Sequence, residues 1–75
     1  MGSMTDANAS IRIEFEREED GRWIAESPDL PGVLAYGATK AEARARVEAL
    51  ALRVLADRLD HGEDIPALGR LFVGV

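Results

Sequence analysis

Residues 39–60 constrain this chain more tightly than any other stretch. Thr39-Lys40-Ala41-Glu42 is a capping box, in which a hydroxyl and a carboxylate satisfy amides that the first helical turn leaves without partners. The residues that follow are mostly Ala, Leu, Arg and Glu, all strong helix formers. Gly62 falls where a left-handed C-terminal cap belongs, and Pro66 ends any continuation. The spacing predicts one helix running to about Asp60. It takes more than a quarter of a 75-residue chain, so its packing partners must be short elements.

Two apolar stripes run along that helix. Ala43, Val47, Leu50 and Val54, widened by Ala51, make the face expected to cover a sheet. Ala45, Ala49, Leu52, Ala56 and Leu59 make a second, set apart by Arg46, Arg53 and Asp57. Alanine suits exposed helix positions, but Leu52 and Leu59 are bulky, which marks this face as a candidate subunit contact.

Ahead of the helix the period changes to two. Ile11, Ile13 and Phe15 alternate with Arg12, Glu14 and Glu16, the pattern of a half-buried strand. Asp20-Gly21 supplies a turn, and residues 22–27 resume an extended pattern around Trp23, Ile24 and Ala25. Pro28-Asp29-Leu30-Pro31-Gly32 interrupts pairing, because its two prolines remove two donors. A third strand is expected over residues 33–36, and Leu71-Phe72-Val73 reads as a closing one. The expected class is α+β: a three-stranded antiparallel meander, one long helix packed on the sheet, and a C-terminal closing strand. Residues 1–10 read as a vector remnant and a flexible arm, with the domain over 11–75.

At this length one domain is the limit, and a core so small supplies only ~3–5 kcal/mol. The chain has no cysteine, hence neither a disulfide nor a thiolate metal site to reinforce it. Self-association is the remaining common reinforcement, so a homo-oligomer is expected. The lack of cysteine fits a reducing cytoplasm. No apolar run reaches the roughly 20 residues of a membrane span. The net charge of −5 argues against nucleic acid, whose phosphates need clustered bases. Residues 1–38 hold eight acids against three bases, while residues 39–75 hold six of each, so the acidity belongs to the strand half.

The segment Asp20-Gly21-Arg22-Trp23-Ile24-Ala25-Glu26-Ser27-Pro28-Asp29-Leu30-Pro31-Gly32 resembles the signature of HicB-like antitoxins. The likeness continues through Tyr36-Gly37-Ala38-Thr39, the Glu42-Ala43 pair and Gly62-Glu63-Asp64-Ile65-Pro66, so it covers roughly residues 11–66. The resemblance implies a β-β-β-α-β domain with a partial RNase H-like fold. It also implies binding to a HicA-type toxin, a small basic ribonuclease with a fold like that of double-stranded-RNA-binding domains. Many such antitoxins carry a C-terminal DNA-binding domain. This chain stops at Val75, so the expectation is either a short single-domain branch, which the closing strand favours, or a piece of something longer.

Residues that would carry catalysis are few. Glu14, Glu16 and Glu18 alternate on one strand face, where Glu26 and Asp29 would have to join them to hold a metal. A solvated outer face is the expected reading, since such sites draw acids from several elements. His61 at the helix C-terminus has a sufficient structural reason in the helix dipole. The expectation is a non-enzymatic binding protein without cofactor or metal. The candidate partner residues are Glu14, Glu16 and Glu18 on the acidic hairpin, Asp29, Leu30 and Pro31 in the loop, and the neighbours Trp23 and Ile24. The helix can cover only one of that last pair, because adjacent strand residues point to opposite faces. Leu52 and Leu59 are the candidate oligomer contact. A homo-oligomeric module of the same fold without a toxin partner, and a remnant RNase H-like nuclease, are the alternatives.

Overall fold

The computed structural model of the protein describes residues 11–65. Its elements follow in the order β1 (Glu14–Arg17), β2 (Trp23–Glu26), β3 (Leu34–Gly37) and α1 (Lys40–Asp60). The strands form an antiparallel meander ordered β1-β2-β3, and α1 lies across one face. The α+β class, with three antiparallel strands and one helix, is as expected. The closing strand over residues 71–73 lies outside the described residues.

The helix starts and stops where its local chemistry dictates. The Thr39 hydroxyl accepts the Glu42 amide at 3.1 Å, while the Glu42 carboxylate accepts the amide of Ala38 at 3.0 Å. The reciprocal bond thus reaches one residue further back than the usual capping box, to the residue before the cap. At the other end Gly62 takes φ +81°, and its amide donates to Leu59 while that of Glu63 donates to Arg58. These two bonds make a Schellman motif, for which the glycine supplies the left-handed residue. The β1–β2 turn is closed by the Gly21 amide donating to Glu18 and the Glu18 amide donating to Arg22. Gly21, at φ +91°, carries its left-handed residue.

Strand β1 begins at Glu14, three residues later than the alternation suggests. The reason lies at Arg12, whose amide donates to Asp29 Oδ2 at 2.8 Å. Its guanidinium also meets Asp29 Oδ1 at 3.1 Å. This segment is therefore tied to the loop after β2 by a side chain, in place of a strand ladder. Ile11 and Ile13 still pack against the core.

That core comprises Ala25, Leu30 and Val33 from the sheet and its loop, and Ala43, Val47, Ala51 and Leu55 from α1. The helix stripe differs from the one expected. Leu55 is buried, whereas Leu50 and Val54 are half-buried beside it. Residues every fourth position along α1 form the line of closest approach, and three of those four are Ala or Val. Small side chains permit that approach, and Gly37 extends it: an added Cβ there would lie 2.9 Å from Ala43 Cα. The bulkier Leu50 and Val54 fill the flank. The second stripe stays uncovered among the described residues, with Leu52 and Leu59 exposed.

Candidate functional site

Antiparallel pairing sorts the strand residues into two faces. Phe15, Trp23, Ala25 and Ala35 pack toward the helix-side core. Glu14, Glu16, Ile24, Glu26, Leu34 and Tyr36 alternate with them and form the outer face. Register places Ile24 between Glu16 and Tyr36, and Glu26 between Glu14 and Leu34. An apolar patch of Ile24, Leu34 and Tyr36 thus spans β2 and β3, bordered by three carboxylates. Leu34 and Tyr36 are exposed, and no helix covers this face among the described residues.

Two features give the surface its shape. Beside Ile24 is a shallow depression of about 90 Å³ lined by Glu14, Phe15, Glu16, Ile24 and Glu26. It is small enough to suit one side chain, and its carboxylates favour a lysine or arginine head group. Across the patch, the Arg22 guanidinium sits 4.8 Å from the centroid of the Tyr36 ring, a cation–π contact that holds the ring in place. Arg22 also pairs with Asp20 at 2.7 Å, so its charge is partly compensated. The bond from the Arg22 amide, and then that side-chain contact, hold the Asp20 carboxyl below the usual carboxylate range.

The remaining sequence candidates divide. Trp23 faces the helix side: Lys40 Nζ lies 5.7 Å from its ring and 4.8 Å from that of Phe15. It is therefore the member of the Trp23/Ile24 pair that the helix end takes, and Ile24 is the one left on the outer face. Leu30 is only 4% exposed and belongs to the core, which corrects its assignment to a binding loop. The chain doubles back there, with the Leu30 amide donating to Ser27 and the Val33 amide to Leu30, and the side chain plugs the core below. Pro31 stays exposed at the tip. Asp29 holds Arg12, whose guanidinium and amide keep its carboxyl below the ordinary range. Glu18 is half-buried at the base of the hairpin turn.

Glu14, Glu16 and Glu26 share the outer face, but among the described residues no three His, Cys, Asp or Glu side chains are grouped so as to hold a metal ion. His61 caps α1, with Nδ1 at 2.7 Å from the Asp57 carbonyl oxygen. No helix among the described residues is long and apolar enough to cross a membrane. Leu34 and Tyr36 were missed from the sequence. Their strand is short and apolar, and only the pairing with Ile24 and Glu26 reveals which side each residue takes. Family models, curated proteins and solved structures were all compared with the chain, and none matches.

Proposed function

We propose that the protein is a HicB-like antitoxin domain acting in the cytoplasm, which neutralises a small basic HicA-type RNA-cleaving toxin by covering its active surface. One observation carries this reading: an apolar patch of exposed Leu34 and Tyr36 beside half-buried Ile24, bordered by Glu14, Glu16 and Glu26 on the sheet face opposite the helix. A basic partner would be steered by the carboxylates and held by the apolar centre, since rim charges act on encounter and buried contacts on residence. Masking of this kind needs no reacting group in the antitoxin. The sequence resemblance over residues 11–66 supports the same partner class. We further propose that residues 71–73 add a closing strand, in keeping with the HicB-like, partial RNase H-like architecture. Supporting this is a groove of about 380 Å³ lined by Ile11, Ile13, Ala51, Leu52 and Leu55, with Glu48 at its edge.

The test is binding to the small basic protein encoded by the adjacent reading frame, read by calorimetry and by protection of RNA from that protein. Ile24→Lys and Tyr36→Ala should each weaken binding at least ~10-fold, the loss of one central contact of ~1.4 kcal/mol or more. Glu16→Lys should slow association mainly, and more so at low salt. Tight binding unaltered by Ile24→Lys would remove the outer face from the reading. Absence of any basic protein partner would remove the antitoxin function itself and favour a self-assembling module.

A further inference from the structure

Among the described residues the sheet has two edges, one along β1 and one along β3. An open edge is a row of amides and carbonyls that another strand can pair with, and charged side chains are a common protection. Strand β1 carries its own, since Glu14, Glu16 and Arg17 are all exposed. Strand β3 reads Leu34-Ala35-Tyr36-Gly37 and holds no charge.

A guanidinium from the helix stands at that edge instead. Arg46 Nη1 donates to the Tyr36 carbonyl at 3.0 Å. Glu42 Oε1 pairs with the same nitrogen at 3.2 Å and also accepts the Ala38 amide at 3.0 Å. The carboxylate that helps to cap α1 therefore also aims the arginine. We propose that Arg46 closes the β3 edge against strand addition by a second copy of the chain.

Backbone direction gives the arginine its effect. The Ser27 amide donates to the Val33 carbonyl at 3.0 Å, so Ala35 and Gly37, in step with Val33, turn their polar groups toward β2. Leu34 and Tyr36 turn theirs to the open side. The usable edge is no longer than this. Past Tyr36, strand and helix backbones meet at Gly37 and Ala43, and before Leu34 the chain turns through Gly32.

An edge so short pairs most fully with its own copy. An antiparallel two-fold axis through Ala35 sets Leu34 opposite the other copy's Tyr36, and Tyr36 opposite its Leu34. Each pair exchanges two hydrogen bonds, which uses every outward amide and carbonyl of both residues. Two of those four bonds end on a Tyr36 carbonyl, the atom that Arg46 holds in each copy. A second copy must therefore pull two guanidiniums off their carbonyls or bury both beside the axis, and buried like charges oppose association. With the edge closed, Leu34 and Tyr36 stay exposed on the outer face without the sheet growing sideways.

The test compares the full chain with Arg46→Ala by sedimentation equilibrium from micromolar to millimolar concentration, together with hydrogen exchange at the Leu34 and Tyr36 amides. Alanine is the best helix former, so α1 and the circular dichroism spectrum should persist. The expected result is self-association several-fold tighter than the parent's, with both amides fast-exchanging in the parent and protected in the variant. Adding Leu34→Lys to Arg46→Ala should return the mass to the parent's, because it puts a charge back on the edge without touching the bonds to β2. A variant with the parent's mass and unprotected amides would overturn the proposal. So would tighter association that leaves the amides unprotected or survives Leu34→Lys, since the contact would then lie elsewhere. Protection of both amides in the parent would overturn it too, because the edge would be paired despite Arg46. All of these readings are made on the chain alone and stand apart from the toxin assay.

Discussion

Gly37→Ala puts the packing of α1 on the sheet to a test of sign. Gly37 does not take a positive φ, so nothing in its own backbone requires glycine. At an open position of that kind alanine stabilises by ~0.4–1 kcal/mol, because it narrows the unfolded ensemble. Here the new Cβ would lie 2.9 Å from Ala43 Cα and 2.9 Å from the Glu42 carbonyl carbon, and nearer still to the Ala43 amide. All three are backbone atoms that no rotamer change can clear. Strand and helix must separate by about half an ångström or more, and overpacking of this kind costs ~1–3 kcal/mol. Gly37 lies two residues before the cap at Thr39, so the shift also disturbs that cap. Against the ~3–5 kcal/mol that a core of this size supplies, much of the stability is lost. Urea unfolding followed by fluorescence of Trp23, the chain's one tryptophan, reads the effect as a midpoint lower by ~1–3 M at a slope near ~1 kcal/mol/M. Gly32→Ala is the control: φ is +86° but no neighbouring atom lies within 4 Å, so only backbone strain of ~1–2 kcal/mol applies. A midpoint for Gly37→Ala equal to or above the parent's would refute the reasoning, since it would mean that helix and strand are not in backbone contact.

Two further expectations rest on polar groups. Ser27 is buried and its hydroxyl has no hydrogen-bond partner among the described residues, so Ser27→Ala should stabilise by ~1 kcal/mol. A marked loss in the same urea assay would show instead that the hydroxyl is satisfied. Asp29 has its carboxyl lowered by hydrogen bonds from Arg12, so on acidification the unfolded chain takes up a proton before the folded one does. Its contribution is complete above the ordinary carboxylate range and is lost as the pH falls through the lower folded value. Asp29→Asn should therefore flatten the acid side of a melting-temperature profile, and a slope identical to the parent's would contradict this.

Much of the fold was legible because its signals are local. Thr39, Glu42 and Gly62 act on amides and carbonyls within one turn, so their neighbours in sequence are also their neighbours in space. The turn at Gly21 is legible for the same reason, as its bonds span residues 18–22. The candidate surface was half legible. Alternation showed that Trp23 and Ile24 must part company, yet carried no label for which side the helix would take. Leu30 was misread because a Pro- and Gly-bounded leucine has the same sequence context whether it points outward or plugs a core.

By itself the amino-acid sequence determined where α1 begins and ends, the hairpin turn at Gly21, the two-residue period of the strands and the concentration of acid in the first half. Tertiary structure alone decided that the Ala43, Val47, Ala51 and Leu55 line meets the sheet, leaving Leu52 and Leu59 outside. It also decided that Asp29 holds Arg12 and that Ile24, Leu34 and Tyr36 share an open face. The physical reason is range. Caps and turns are settled by hydrogen bonds a few residues long, whereas a face is chosen by how closely two surfaces can approach. Here the smallest side chains, with Gly37 among them, set that distance.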